Sequence, residues 1–317
     1  MQSFLQKTGR LFRKLPKKPI KKPSVLAAVL CIVLMGALTA CGEGSASGAD
    51  GEITVLRIAT LVDDSPEAGI VHESFRSALE AHIGIPVVHY EGATHLVGIE
   101  AMRAGRLDLM WGSPFVYLLA RQTMDVERLA VTDSPTAVNK AVFITANDNI
   151  QGMEDLEGRS FAFISAASTS GFLYPMYHLM NLFNMDRDEV LTGFFGTVTY
   201  SGSQPASIMG VIHGDYDAAA VGNLNIQNML AAGLISPDDF RIIGDTEIIP
   251  FPGYIAAGHL PDELRGKIRE FLIAFADEAY FAERFNDPAV RFVMPVAAQI
   301  EHLGSMAAAL EIDLENQ

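Results

Sequence analysis

The sequence predicts an α/β protein of two lobes, each a mostly parallel sheet flanked by helices, with a ligand cleft at the hinge. Three observations predict it. From Ile53 onward, short apolar runs alternate with helical patterns, as sheets covered on both faces require. The alternation restarts near residue 140. Two stretches, near 135–142 and 245–256, carry the chain from the first unit to the second and back.

The elements follow in order. Ile53 to Thr60 is an apolar strand, Val71 to Ile83 a helix and Val87 to Tyr90 a strand. His95 to Ala104 is helical, Leu107 to Trp111 a strand, and Phe115 to Arg121 starts another helix. In the second unit Ala141 to Thr145 and Ser160 to Ile164 are strands. Phe172 to Asn184 is a helix with Phe172, Leu173, Met176, Leu179, Met180 and Phe183 on one face. The strand Gly196 to Tyr200, helix Ala206 to His213, strand Asp217 to Val221, helix Asn225 to Ala232 and strand Arg241 to Gly244 complete it. Ile255 to Gly258 returns to the first unit. A long helix, Pro261 to Ala282, has Pro at its start and apolar Leu264, Ile268, Phe271, Leu272 and Phe275 on one face.

The N-terminus has a separate logic. Residues 1–22 carry eight basic residues and no acid, and Ser24 to Ala40 is almost wholly apolar and small. Leu38-Thr39-Ala40-Cys41 then precedes Gly42. This is a secretory signal with a small-residue cleavage site. It resembles the bacterial lipoprotein signal, which implies lipid on Cys41 and an extracytoplasmic domain held at the membrane. The organisation expected is a signal over 1–40, a flexible tether over 41–52, a first lobe from 53–137 plus 256–317, and a second lobe over 138–255.

Charge and cysteine content narrow the function. The net charge of −15 becomes −23 once the signal leaves, and Lys140 and Lys267 are then the only lysines. Nucleic-acid binding needs a basic footprint and is excluded as a reading. Cys31 leaves with the signal, so Cys41 is the only remaining cysteine, and no disulfide or cysteine metal site is expected. The eight histidines show no metal-ligand spacing, and no nucleophile elbow or phosphate-binding Walker loop occurs. An enzyme, a metal and a cofactor are therefore not expected.

Small polar loops mark the candidate site. Gly92-Ala93-Thr94-His95, Gly112-Ser113-Pro114, Ser165 to Ser170 and Ser201-Gly202-Ser203-Gln204 follow strands, and three of them open helices. Ligands of open α/β sheets bind at the C-terminal strand ends. Helix starts there offer free N–H groups and favour anions. Ser168-Thr169-Ser170-Gly171 adds three hydroxyl donors; the alternative is an ordinary N-cap.

Residues 56–269 resemble the solute-binding proteins of phosphate/phosphite/phosphonate ABC importers. The most specific stretches are Asp155 to Phe163 (DLEGRSFAF) and Ser168 to Pro175 (STSGFLYP). Weaker echoes are His95 to Met102, Gly105 to Gly112 and Gly214 to Val221. The resemblance implies a two-lobed, type II periplasmic-binding-protein fold that captures a phosphorus oxyanion between its lobes. It assigns the oxyanion cradle to Ser168, Thr169 and Ser170. It also implies a permease and an ATPase as partners of a monomeric receptor.

The chain departs from the family pattern in places. His95 stands where the family often has Tyr, Gln204 where a His follows the turn, and Asn139 where an aromatic is expected near the crossing. His95 is either an oxyanion donor or an exposed helix cap. Gln204 is either a donor or a residue of an exposed turn. Tyr117 and Trp111 either line the pocket or pack in the core. The acids that hold an amino group in aminoalkyl ligands are missing from Val221-Gly222-Asn223-Leu224 and Ile249-Pro250-Phe251-Pro252. The alternative to an importer's oxyanion receptor is a same-fold receptor for another small anion or organic acid, possibly feeding a sensor. A carboxylate receptor would present an Arg, and the candidate loops have none.

Overall fold

The computed structural model describes residues 53–61 and 73–312. The signal, the tether and Cys41 lie outside them. Two sheets form the frame. The first is built from β1 (Leu56–Leu61), β2 (Val87–Ala93), β3 (Leu109–Gly112), β4 (Val126–Asp133), β10 (Gly253–Ala257) and β11 (Arg291–Val293), in the order β11-β4-β10-β3-β1-β2. The second holds β5 (Lys140–Thr145), β6 (Ser160–Phe163), β7 (Thr197–Tyr200), β8 (Ala218–Gly222) and β9 (Arg241–Ile248), in the order β7-β6-β8-β5-β9.

Each sheet has a parallel set, β2-β1-β3 and β7-β6-β8. Strands β5 and β10 are the first to enter each sheet after a crossing, and both pair antiparallel to their neighbours. A parallel neighbour needs a crossover helix. A strand that arrives directly from the other lobe has none, so it runs against its neighbours.

Helices cover both sheets. They are α1 (Glu73–Ile83), α2 (His95–Arg103), α3 (Pro114–Thr123), α4 (Tyr174–Phe183), α5 (Gln204–His213), α6 (Asn223–Ala231), α7 (Asp262–Ala274), α8 (Glu278–Phe285) and α9 (Ala297–Ala309). The long helix expected over Pro261 to Ala282 is two helices. The chain leaves the helix at Phe275, and Asp277 then caps α8 by accepting Ala279 N and Tyr280 N. The side-chain oxygen satisfies two helix-start donors, and that makes the restart favourable.

Two cores support the first sheet and its surroundings. Phe75, Tyr254, Phe271, Tyr280 and Phe292 pack together beneath α1, α7 and α8. The other core crosses between lobes. Phe115 and Val116 of α3 share it with Phe172 and Leu173 of the second lobe and with Leu303 and Met306 of α9. The cleft loops therefore rest on a continuous apolar layer. Away from the cleft, fully buried Asp108 clamps β1 to β3. Its carboxylate accepts Arg57 N at 2.7 Å, Arg57 Nε at 2.8 Å and Arg57 Nη2 at 2.6 Å, and meets His259 Nε2 at 2.7 Å. Burial opposes ionisation there, but the hydrogen bonds from His259 and Arg57 outweigh it and hold the carboxyl below its ordinary range.

Candidate functional site

The hydroxyl segment forms an unusual helix start. Ser168 caps a π-turn, Thr169–Leu173, that leads into α4. Such turns are rare and recur at functional sites. In a helix counted from Phe172, as the sequence pattern suggests, Pro175 would fall at the end of the first turn. The α-helical part begins only at Tyr174, so Pro175 sits in its first turn, where the missing N–H costs little. Gly171 makes the turn possible. A Cβ there would stand 2.1 Å from Ile164 Cγ1 and 2.6 Å from Ile164 Cβ, on the residue just after β6.

The three hydroxyls have different tasks. Ser168 is buried and accepts Gly171 N at 3.1 Å; it makes the cap and does not line the cleft. Thr169 Oγ1 accepts Phe115 N of α3 at 3.0 Å, a bond that joins the two lobes. Its hydrogen is still free to donate. Ser170 Oγ accepts Gln204 Nε2 at 2.9 Å. Gln204 is 1% exposed, and its Oε1 accepts Gly222 N at 2.8 Å. Gly222 N–H can only donate, so the amide orientation is fixed: oxygen toward Gly222, nitrogen toward Ser170. Because the amide supplies the hydrogen, Ser170 keeps its own for a ligand. Gly222 must be small, since a Cβ would meet Asn225 Nδ2 at 3.0 Å and Ser170 Oγ at 3.2 Å.

A cavity of about 140 Å³ lies against these groups, with Thr169, Ser170, Gln204 and Asn139 in its wall. Asn139 sits where the crossings meet. Its backbone oxygen accepts Ile249 N at 2.8 Å, and its Nδ2 donates to Pro250 O at 3.4 Å. Buried Arg128 donates to Phe251 O at 3.0 Å from the first sheet, and burial pushes its guanidinium down to about 10. Tyr117 does not reach the cavity. It packs against the inter-lobe core, with Arg128 Cζ 5.8 Å from its ring. His95 is 1% exposed, so it is no exposed cap; its Nδ1 lies 3.5 Å from Ser165 Oγ, beside the segment but outside the cavity wall.

The sequence leaves Trp111 open between pocket and core and does not single out Arg284, Asn225 or Asn228, and all four belong to the wall. Trp111 lines it as well as packing on Tyr254. Arg284 of α8 stacks with Cζ 4.9 Å from the Trp111 ring. Asn225 and Asn228 come from α6. Among the described residues of the wall, Arg284 is the only charged side chain, and no carboxylate lines it. Arg284 lies 114 positions beyond Ser170 and past the end of the helix expected over Pro261 to Ala282; no local pattern flags it. The arrangement offers hydroxyl and amide donors and one cation, in a chain of net charge −15. A small anion satisfies these donors, whereas a cation finds no carboxylate among the described residues of the wall.

Comparisons with known proteins agree with this chemistry. Residues 63–291 match the family model described as "ABC transporter, phosphonate, periplasmic substrate-binding protein". The phosphate-import protein PhnD of Mycolicibacterium smegmatis is 23% identical over 274 residues, covering 82% of this chain and 84% of that one. The probable ABC transporter phosphite binding protein PhnD1 of Prochlorococcus marinus is 29% identical over 157 residues, 46% of this chain and 48% of that one. The solved structure of PhnD1 from Prochlorococcus marinus in complex with methylphosphonate superposes with a TM-score of 0.68 at 19% identity, covering 81% of this chain and 98% of that one.

Proposed function

Because the chain belongs to the phosphonate periplasmic substrate-binding proteins of ABC transporters, we propose that its cleft captures a small phosphorus oxyanion. Phosphate, phosphite and short alkylphosphonates are the ligands that fit. The carrying observation is the cavity wall: Thr169, Ser170, Gln204 and Arg284 converge there, and no described carboxylate does. Thr169 and Ser170 donate to the oxyanion, Gln204 orients Ser170, and Asn139 holds the crossings on which closure turns. Ser168 supports the cradle through its cap, and His95 through Ser165. The loaded receptor delivers its ligand to a permease and its ATPase.

The position of the protein follows from its N-terminus. Lipid on Cys41, with residues 42–52 as a tether, holds a monomeric receptor at the outer face of the membrane. The sequence pattern at 38–41 supports this.

Arg284 also suits a carboxylate, so an organic acid is the competing ligand class. The deciding experiment is calorimetry with phosphate, phosphite, methylphosphonate, 2-aminoethylphosphonate and succinate. Binding of one of the first three at least tenfold tighter than succinate supports the proposal. Binding of succinate alone overturns it.

A further inference from the structure

Ser113 has the position of a helix cap without the bond of one. It precedes α3 with extended backbone, φ −70° and ψ 162°, yet its side chain makes no capping hydrogen bond. The other serine and threonine caps among the described residues, Thr94, Ser168, Ser203 and Ser236, all accept one. Two of the three N–H groups at this helix start are withheld from Ser113, and it does not bond the third, Val116 N, the position at which Thr94, Ser168 and Ser203 are satisfied. Pro114 at the first helical position has no N–H. The next donor, Phe115 N, is taken by Thr169 Oγ1 of the opposite lobe at 3.0 Å. Ser113 is 7% exposed, its Oγ has no hydrogen-bond partner, and it lines the same cavity as Thr169 and Ser170.

A buried hydroxyl left without a partner is costly. This one stands at the positive end of a ten-residue helix and faces a cavity of donors. We propose that the Ser113 hydroxyl is the first lobe's direct donor to the bound oxyanion, made available by exchange of the α3 cap. With the lobes apart, Phe115 N–H loses Thr169, and Ser113 Oγ, as the N-cap side chain, can accept it. Closure brings Thr169 in as the acceptor. Ser113 then turns its hydrogen to an oxygen of the ligand. The oxyanion is thus held from both lobes, by Ser113 on one side and Thr169 and Ser170 on the other, and binding and closure share one hydrogen-bond exchange. The inference rests on the oxyanion reading above and adds Ser113 as a ligand-binding and specificity residue of that site.

The test compares Ser113→Ala with Ser113→Gly. Glycine is a tolerable N-cap and alanine is a poor one, so a structural cap and a ligand donor give different patterns. Affinity for phosphate, phosphite and methylphosphonate is measured by calorimetry, and melting is measured on protein without ligand. The expected result is a loss of affinity of roughly 10- to 100-fold in both variants, equal within a few-fold, while melting of the ligand-free protein falls in Ser113→Ala and stays close to wild type in Ser113→Gly. Wild-type binding with unchanged affinity in the variants overturns the proposal. So does a loss confined to Ser113→Ala that tracks lower melting, which assigns Ser113 to capping alone. If the wild type binds none of the three anions, the ligand reading has failed first and this inference falls with it.

Discussion

Gln204→Glu isolates the hydrogen-bond polarity of the cradle. The side chain keeps its size, and one oxygen still accepts Gly222 N–H, a bond of 2.8 Å in the wild type. The other position changes sense. Where Gln204 Nε2 donates to Ser170 Oγ at 2.9 Å, a carboxylate oxygen accepts instead and draws the Ser170 hydrogen away from the ligand. The lost donor is worth about 1.5–3 kcal/mol against an anion. The new negative charge stands one hydrogen bond beyond Ser170, roughly 5 Å from the bound oxyanion. At an effective dielectric near 20 their repulsion is about 3 kcal/mol. Together these make about 5 kcal/mol, more than ~1,000-fold in affinity. The deficit is pH-dependent. Burial and the neighbouring anion raise the pKa of the introduced carboxyl, and once protonated it donates to Ser170 as the amide did. The assay is calorimetry with methylphosphonate on wild type, Gln204→Glu and Gln204→Met at pH 8 and pH 5. The ratio of variant to wild type cancels the ligand's own titration. Gln204→Met should lose roughly 10- to 100-fold at both pH values, because it removes the donor without adding charge. Gln204→Glu should lose far more at pH 8 and recover toward pH 5. Binding within threefold of wild type at pH 8, or a deficit that ignores pH, refutes the assigned polarity.

Four further outcomes are expected. The unmodified protein should bind methylphosphonate at least tenfold, about 1.4 kcal/mol, better than 2-aminoethylphosphonate; Leu224→Asp, which adds a carboxylate to the wall without the crowding a side chain meets at Gly222, should narrow that margin, and a preference of the unmodified protein for the aminated ligand would refute the reasoning. Asp108→Asn should cost about 3 kcal/mol in urea unfolding at pH 7, because it leaves the buried Arg57 pair broken; since the folded-state pKa is depressed, this contribution is present above about pH 4 and fades as pH falls through the folded value, so the gap between wild type and variant should narrow with acidification, and a gap independent of pH would count against it. Gly171→Ala should destabilise by roughly 1–3 kcal/mol through the Ile164 contact, read as a lower urea midpoint; an unchanged midpoint would show that the turn moves freely. Cys41→Ser should move the protein from the membrane to the soluble fraction, and retention through residues 24–40 would remove the lipid anchor.

The sequence alone carried what is local. Strand and helix alternation is written in the spacing of apolar residues, so the α/β class and both chain crossings were legible. The cradle was legible too, because a Ser-Thr-Ser-Gly run at a helix start is a local statement. What it could not carry is which group faces which. β4, Val126–Asp133, was unmarked because Glu127 and Arg128 interrupt its apolar run; they form ion-pair and backbone bonds with Arg269 and Phe251, more than a hundred residues later. The division of labour among Ser168, Thr169 and Ser170 depends on Gly171, Phe115 and Gln204, and only the last two contacts cross the fold. Gln204 reads equally as a donor or as part of an exposed turn, and only its burial against Gly222 and Ser170 separates the two. Arg284 reaches the cleft wall with its guanidinium over the Trp111 ring, a residue far away in sequence. Short-range order follows from backbone propensity and periodicity. The long-range pairings that make a site follow from burial, which no window of sequence contains.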